Sequence, residues 1–340
     1  MEHSLVSHSL PQSFIEALRA KPIHLFAGKG GVGRSTLAVA SAQALAEKGY
    51  RTLLAEIDEE LEAPSSLALH LEGAPSVAEL SASPVEVGEH LSVVRLTGRR
   101  GQEIFLTSLF KVESVAKTLL GMEALQKLAR VTPSLRELGA FYHLLSCMRK
   151  LSALCGDLGE YDKIVLDLPA TGHFLGMTAL PELVLELIPK GPIAKALEEG
   201  QKILYDTRLT ATWVVTLPEE WPVSEAIDLM KGLKENRLPI EGVLLNRLPK
   251  LPEQLSIAAV EKCSKGPGSI AAVKILEAIR VSQFLSEEAA KNYGVQVAKI
   301  EEQLQAASTA AVTQRIQKLL LEGLTRSLAS PSKEQKRSQS

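Results

Sequence analysis

Gly28-Lys29-Gly30-Gly31-Val32-Gly33-Arg34-Ser35-Thr36 decides the fold. It follows a short apolar run, Ile23 to Ala27, that reads as a buried strand. It opens into an Ala- and Leu-rich stretch, Leu37 to Lys48, that reads as a helix closed by Gly49. Strand, glycine loop and helix in that order are the context in which such a loop holds phosphate. The glycines let the backbone curl so that N–H groups point inward, and the helix N-terminus adds its partial positive charge. Ser35 stands where a hydroxyl would meet the Mg2+ that rides on nucleotide phosphates. The general pattern demands lysine where this chain has Arg34, a larger planar cation with a different reach. It does not demand the extra lysine, Lys29, after the first glycine.

Working outward, 340 residues are enough chain for one large domain or two modest ones. Hydrophobic content of 45% and charged content of 23% are those of a soluble globular protein. A net charge of −2 gives no electrostatic case for nucleic acid or an acidic membrane surface. No long uncharged apolar run and no signal-like N-terminus is present, so a cytoplasmic location is expected. Cys147, Cys155 and Cys263 form no C-x-x-C pair and read as reduced core thiols.

Strand-like runs recur at Arg51–Ile57, Leu91–Leu96, Lys163–Leu168, Thr212–Leu217, Gly242–Leu245 and Val295–Lys299. Helical patterns occupy Leu175–Leu187, Ile193–Leu204 and most of Gln102–Leu154. This alternation predicts an α/β fold, a doubly wound and mostly parallel sheet flanked by helices. Phe14, Ile15 and Leu18 predict a short helix against the sheet edge. One phosphate-loop domain over 1–326 is expected, with a helical subdomain at about 100–155 and a polar, disordered tail at 327–340.

Asp58 follows the second strand at the sheet edge where ligands of such folds bind. It suits water activation or the Mg2+ shell; an ordinary solvated acidic loop is the competing reading, since Glu56, Glu59, Glu60 and Glu62 surround it. Asp167 closes a strand in the usual place of the carboxylate that supports Mg2+ through water. It leads into Pro169, Thr171, Gly172 and His173, a loop able to respond to a γ-phosphate. Asn246 ends the GVLL run and offers an amide suited to an adenine edge.

These residues resemble a known family. GKGGVGRST is similar to the deviant phosphate loop of a branch of P-loop ATPases marked by the extra lysine. DLPATGHFLGMTALP (167–181) resembles the switch II motif of arsenite-pump and tail-anchored-protein-targeting ATPases, the ArsA-like family; LPEEWPVSEA (217–226) and LLNRLP (244–249) resemble segments that follow it. The resemblance implies ATP and Mg2+ as cofactors, with Gly28 and Gly30 to Thr36 cradling phosphates and Ser35 on the metal. It implies Lys29 reaching a partner's nucleotide, Asp58 activating water in switch I, Asp167 to His173 forming switch II, and Asn246 reading adenine. It further implies a homodimer, or a heterodimer with a paralogue, that couples nucleotide state to an unknown protein client. Membrane contact is expected only through a partner. Three departures stand out: Arg34, the Glu59-Glu60-Leu61-Glu62 run after Asp58, and the absence of a C-x-x-C. Arg34 makes slow hydrolysis expected.

Competing readings are a non-hydrolysing scaffold beside an active paralogue, a cell-division or partition-type regulator, and an arsenite-stimulated ATPase. The regulator would use Leu304, Val312, Ile316, Leu319, Leu320 and Leu324 as an amphipathic membrane helix. Residues 102–154 are the candidate client surface, unless their leucines simply face a core.

Overall fold

A computed structural model describes residues 10–57, 65–71, 82–110, 133–169, 181–182, 184–186, 189–250, 257–264, 269–302 and 308–329. Among the described residues, eight strands form one sheet: β1 (Ile23–Gly28), β2 (Thr52–Ile57), β3 (Val85–Gly88), β4 (Leu91–Leu96), β5 (Lys163–Asp167), β6 (Thr210–Thr216), β7 (Ile240–Leu248) and β8 (Gln296–Glu301). Their spatial order is β3-β4-β2-β5-β1-β6-β7-β8, parallel throughout except for the β3–β4 hairpin at one edge. All six residues of β1 and all five of β5 are buried, because helices cover both faces and leave no polar side to the strands.

The helices are α1 (Gln12–Ala20), α2 (Arg34–Glu47), α3 (Gly98–Phe110), α4 (Pro133–Met148), α5 (Ser152–Cys155), α6 (Pro192–Tyr205), α7 (Glu220–Glu235), α8 (Ile257–Cys263), α9 (Ser269–Glu288) and α10 (Thr309–Ala329). One apolar core unites α1, α2 and α10 with alternate sheet residues such as Phe26, Leu54 and Trp213. A second, on the opposite face, gathers α4, α6, α7 and Leu285 of α9 over Leu25, Leu53 and Val214. The doubly wound expectation is met.

Several local expectations change. Helix α1 packs on the sheet face rather than its edge: the Phe14 ring meets Trp213 of β6, a central strand, edge-on with centroids 4.6 Å apart. Strand β3 is additional to the runs read from sequence. Helix α2 begins at Arg34, three residues before the apolar pattern does. Ile316, Leu320 and Leu324 are buried against the core around α2, so this face of α10 is occupied by the protein itself rather than offered to a membrane. The helix also runs through Ser327 to Ala329; 330–340 lie outside the described residues. Among the described residues, no helix is long and apolar enough to cross a membrane.

Phe141, Leu144, Leu145 and Met148 of α4 point into the core, so these apolar positions of the 102–154 region face the protein's own interior. Residues 111–132 lie outside the described residues. Cys147 is a core thiol, pushed up to about 11 by burial, whereas Cys155 and Cys263 are exposed, contrary to expectation.

Two buried histidines tie stability to pH. His24 on β1 accepts a hydrogen bond at Nδ1 from the Trp213 indole (3.4 Å) and donates from Nε2 to the Lys21 carbonyl (2.9 Å), which requires the neutral ring. Burial, aided by nearby Lys163, pushes its pKa down to about 3. His143 accepts the Thr97 N–H at Nδ1, and burial takes it down to about 4. Both rings stay neutral in the folded state and protonate in the unfolded chain below about pH 6.5. Their contribution is therefore complete above that pH and falls as pH drops from about 6.5 toward 4 and 3. His24 alone is expected to cost about 2 kcal/mol of stability at pH 5 relative to pH 7. Urea unfolding at the two pH values measures this, and His24→Gln should flatten the difference.

Candidate functional site

The glycine loop joins the C-terminal end of β1 to the N-terminus of α2, at the sheet edge where ligands of open α/β folds bind. Gly33 makes the join possible. Its φ of 90° lies in the left-handed region, and a methyl group there would collide with the Asn246 amide nitrogen. Helix α2 has no side-chain cap at its first N–H groups and no acidic residue in its first turn. Those donors, with the helix dipole behind them, face whatever occupies the loop. Space is open around Gly30 and Gly31.

Asp167, the last residue of β5, sits beside Phe26 of β1 and is only 2% exposed at its side chain. Its Oδ2 accepts a hydrogen bond from Ser35 Oγ at 2.5 Å. A hydroxyl and a carboxylate held together under an uncapped helix N-terminus fit the donor set for Mg2+ on a nucleotide phosphate. The structure brings together the two residues that the sequence singled out, Ser35 and Asp167.

Arg34 behaves differently from a phosphate-seeking lysine. Its Nε donates to Asp167 Oδ1 (2.6 Å) and its Nη1 to the Gly28 carbonyl (3.0 Å), and the side chain is 15% exposed. The guanidinium thus folds back onto the β1–β5 seam, with both Asp167 oxygens engaged by residues of α2. Lys29, by contrast, is 49% exposed and reaches Glu225 on α7 at 2.6 Å.

Asn246 is buried at the end of β7, and its Nδ2 donates to the Val32 carbonyl at 2.9 Å. In that position it braces the loop. Asp58, Thr171, Gly172 and His173 lie outside the described residues; Pro169 is half-buried just beyond Asp167.

Glu56 is a group the sequence reading misplaced. Rather than joining a solvated acidic loop, it is buried on β2, in register with Asp167. Burial pushes its carboxyl up, opposed by hydrogen bonds from Ser65 and Ser66 and by Arg95, whose Nε lies 2.9 Å away. Asp167, Glu56 and Arg95 form a row across β5, β2 and β4, with Arg34 of α2 against its Asp167 end, so that signs are opposite at each outer contact. Glu225 and Arg95 were also missed, since each gains meaning only from a partner on another element.

This is the fold and phosphate loop of a P-loop ATPase. A family model described as anion-transporting ATPase matches residues 21–195, just over half of the chain, and the chain belongs to that family. Among similar proteins is ATPase BagA of Mycobacterium tuberculosis, 27% identical over 245 residues covering 72% of this chain and 69% of that protein. ATPase GET3B of Arabidopsis thaliana is 24% identical over 271 residues, covering 66% and 64% respectively. A protein of Aquifex aeolicus whose name places it among arsenical pump-driving ATPases is 26% identical over 272 residues, covering 72% and 86%.

Proposed function

We propose that this chain binds Mg-ATP at the 28–36 loop, hydrolyses it, and uses the cycle as a dimeric switch acting on a protein client. Residues up to about 326 would work as one ATPase unit, with the helical segment at about 100–155 as its subdomain. The observation that carries the reading is the Ser35–Asp167 contact beneath the uncapped start of α2. Bound Mg2+ would supply charge neutralisation between phosphate oxygens. Ser35 would hold the metal directly and Asp167 through water. The N–H groups of Gly30 to Thr36 would bind the phosphates, and Lys29 would add a cation at an exposed position. Asp58 would orient the attacking water, and 167–173 would respond to the γ-phosphate. Asn246, while bracing Val32, would stand beside the adenine. No arsenical cargo is assigned: that word belongs to the name of a relative.

Binding without turnover is the second reading, favoured by Arg34. An arginine that occupies Asp167 takes up the carboxylate needed to hold Mg2+-bound water. Arg34→Lys removes the two-pronged contact and is expected to raise turnover about tenfold, about 1.4 kcal/mol in the barrier, with Mg-ATP affinity little changed. Steady-state phosphate release with parallel equilibrium binding tests this. A slower Arg34→Lys protein would mean that the arginine itself serves the reaction.

A further inference from the structure

Both side-chain cations of the phosphate loop are already paired within the chain. Arg34 turns inward to Asp167; Lys29 turns outward to Glu225, one turn into α7. The two pairs differ in what a ligand can reach. The first is almost closed off from solvent. In the second, the lysine is 49% and the glutamate 37% exposed, and the neighbouring Gly30 and Gly31 border open space.

The glutamate is the more buried member of that pair. Its Oε2 is buried and has no hydrogen-bond partner among the described residues, while Oε1 takes the lysine. The lysine is the member free to leave, on a flexible stem with three donors. Trp221, 79% exposed and four residues earlier on α7, lies on the same side of the helix as Glu225. Glu219 at the N-cap and Glu220 in the first turn add further negative charge at the start of α7.

We propose that Glu225 is the positioning residue of Lys29: its carboxylate holds the ammonium in the same chain and competes for it with nucleotide phosphate. Rupture of this ion pair then becomes part of Mg-ATP binding, and the lysine is released for phosphate only when a triphosphate displaces the carboxylate. The inference rests on the nucleotide reading above and adds the group that opposes binding. It also gives the loop a selectivity: a triphosphate, with more charge to offer, displaces the carboxylate more readily than a monophosphate.

The test is a double-mutant cycle in Mg-ATP affinity, measured by calorimetry on full-length wild type, Glu225→Gln, Lys29→Met and the double variant. Glu225→Gln is nearly isosteric, so the fold should be kept. A half-exposed ion pair predicts Mg-ATP binding about three- to fivefold tighter in Glu225→Gln. The gain should shrink at high salt and vanish in the Lys29→Met background. Binding that weakens or stays unchanged in Glu225→Gln would overturn the proposal. So would a gain that persists without Lys29, because Glu225 would then act only as a bare negative charge. Absence of Mg-ATP binding in all four proteins would overturn the nucleotide reading itself, an outcome separate from a binding protein with no coupling.

Discussion

Asp167→Ala is expected to reduce Mg-ATP turnover by at least about 10²-fold and to destabilise the protein by about 3 kcal/mol. Both effects follow from one carboxylate with two duties. Its Oδ2 accepts from the hydroxyl of Ser35, the proposed metal ligand, and its Oδ1 neutralises Arg34. Removal leaves a guanidinium that is only 15% exposed and keeps the Gly28 carbonyl, an uncharged acceptor, at that seam. A buried charge stripped of its counter-ion is far costlier than the pair was worth. Asp167→Asn separates the duties. Its amide oxygen still accepts one hydrogen bond but offers no counter-charge to Arg34, so part of the folding stability returns while the charge proposed to support Mg2+ does not. Turnover assays with urea unfolding on both variants check this. Near-normal turnover in Asp167→Asn would remove this carboxylate from the metal's surroundings.

Gly101→Val is expected to cost about 3 kcal/mol or more without touching the nucleotide loop. Helices α3 and α4 cross backbone to backbone at Gly98, Gly101 and Gly139. A Cβ at Gly101 would run into the Gly139 carbonyl, and one at Gly139 into the Gly98 carbonyl. Backbone obstacles cannot swing aside as a side chain can, so the helices would have to separate. Separation would also disturb the edge-on Phe105–Tyr142 contact, whose centroids lie 4.9 Å apart, and the Thr97 to His143 hydrogen bond. Thermal or urea unfolding reads the loss. Mg-ATP affinity of the protein that remains folded should match wild type, because the crossing glycines belong neither to the phosphate loop nor to α2.

The contrast between these two sites also marks what could be read along the chain. The phosphate loop was legible because its chemistry is written in consecutive residues, and the central strands because burial on both faces makes them continuous apolar runs. Asp167 was legible for its position at a strand end. Strand β3 was not: Val85-Glu86-Val87-Gly88 is short and half-exposed, and exists only by pairing with β4 through the Glu89–His90 turn. The start of α2 was set three residues late because Arg34-Ser35-Thr36 carries no apolar period, and Gly33 alone marks the boundary.

Partnerships across strands were the least legible part. Glu56 looks like one acid among several near Asp58, and only its register beside Asp167 and its contact with Arg95 reveal a buried charge. Glu225 likewise resembles an ordinary helix-surface acid until Lys29, 196 positions away, is seen against it. The small glycines of the α3–α4 crossing carry no local signal at all, since their role is the absence of a side chain between two backbones. Arg34 was recognised as a substitution, yet its direction, inward to Asp167 rather than out to phosphate, depends on β5 lying next to β1.

The most direct test of the account is phosphate release from Mg-ATP by the purified full-length protein beside its Asp58→Ala variant. The account predicts measurable release by wild type that disappears in the variant while Mg-ATP binding persists. Equal release by the two proteins, or none by wild type despite saturating Mg-ATP, would contradict a working ATPase at this loop.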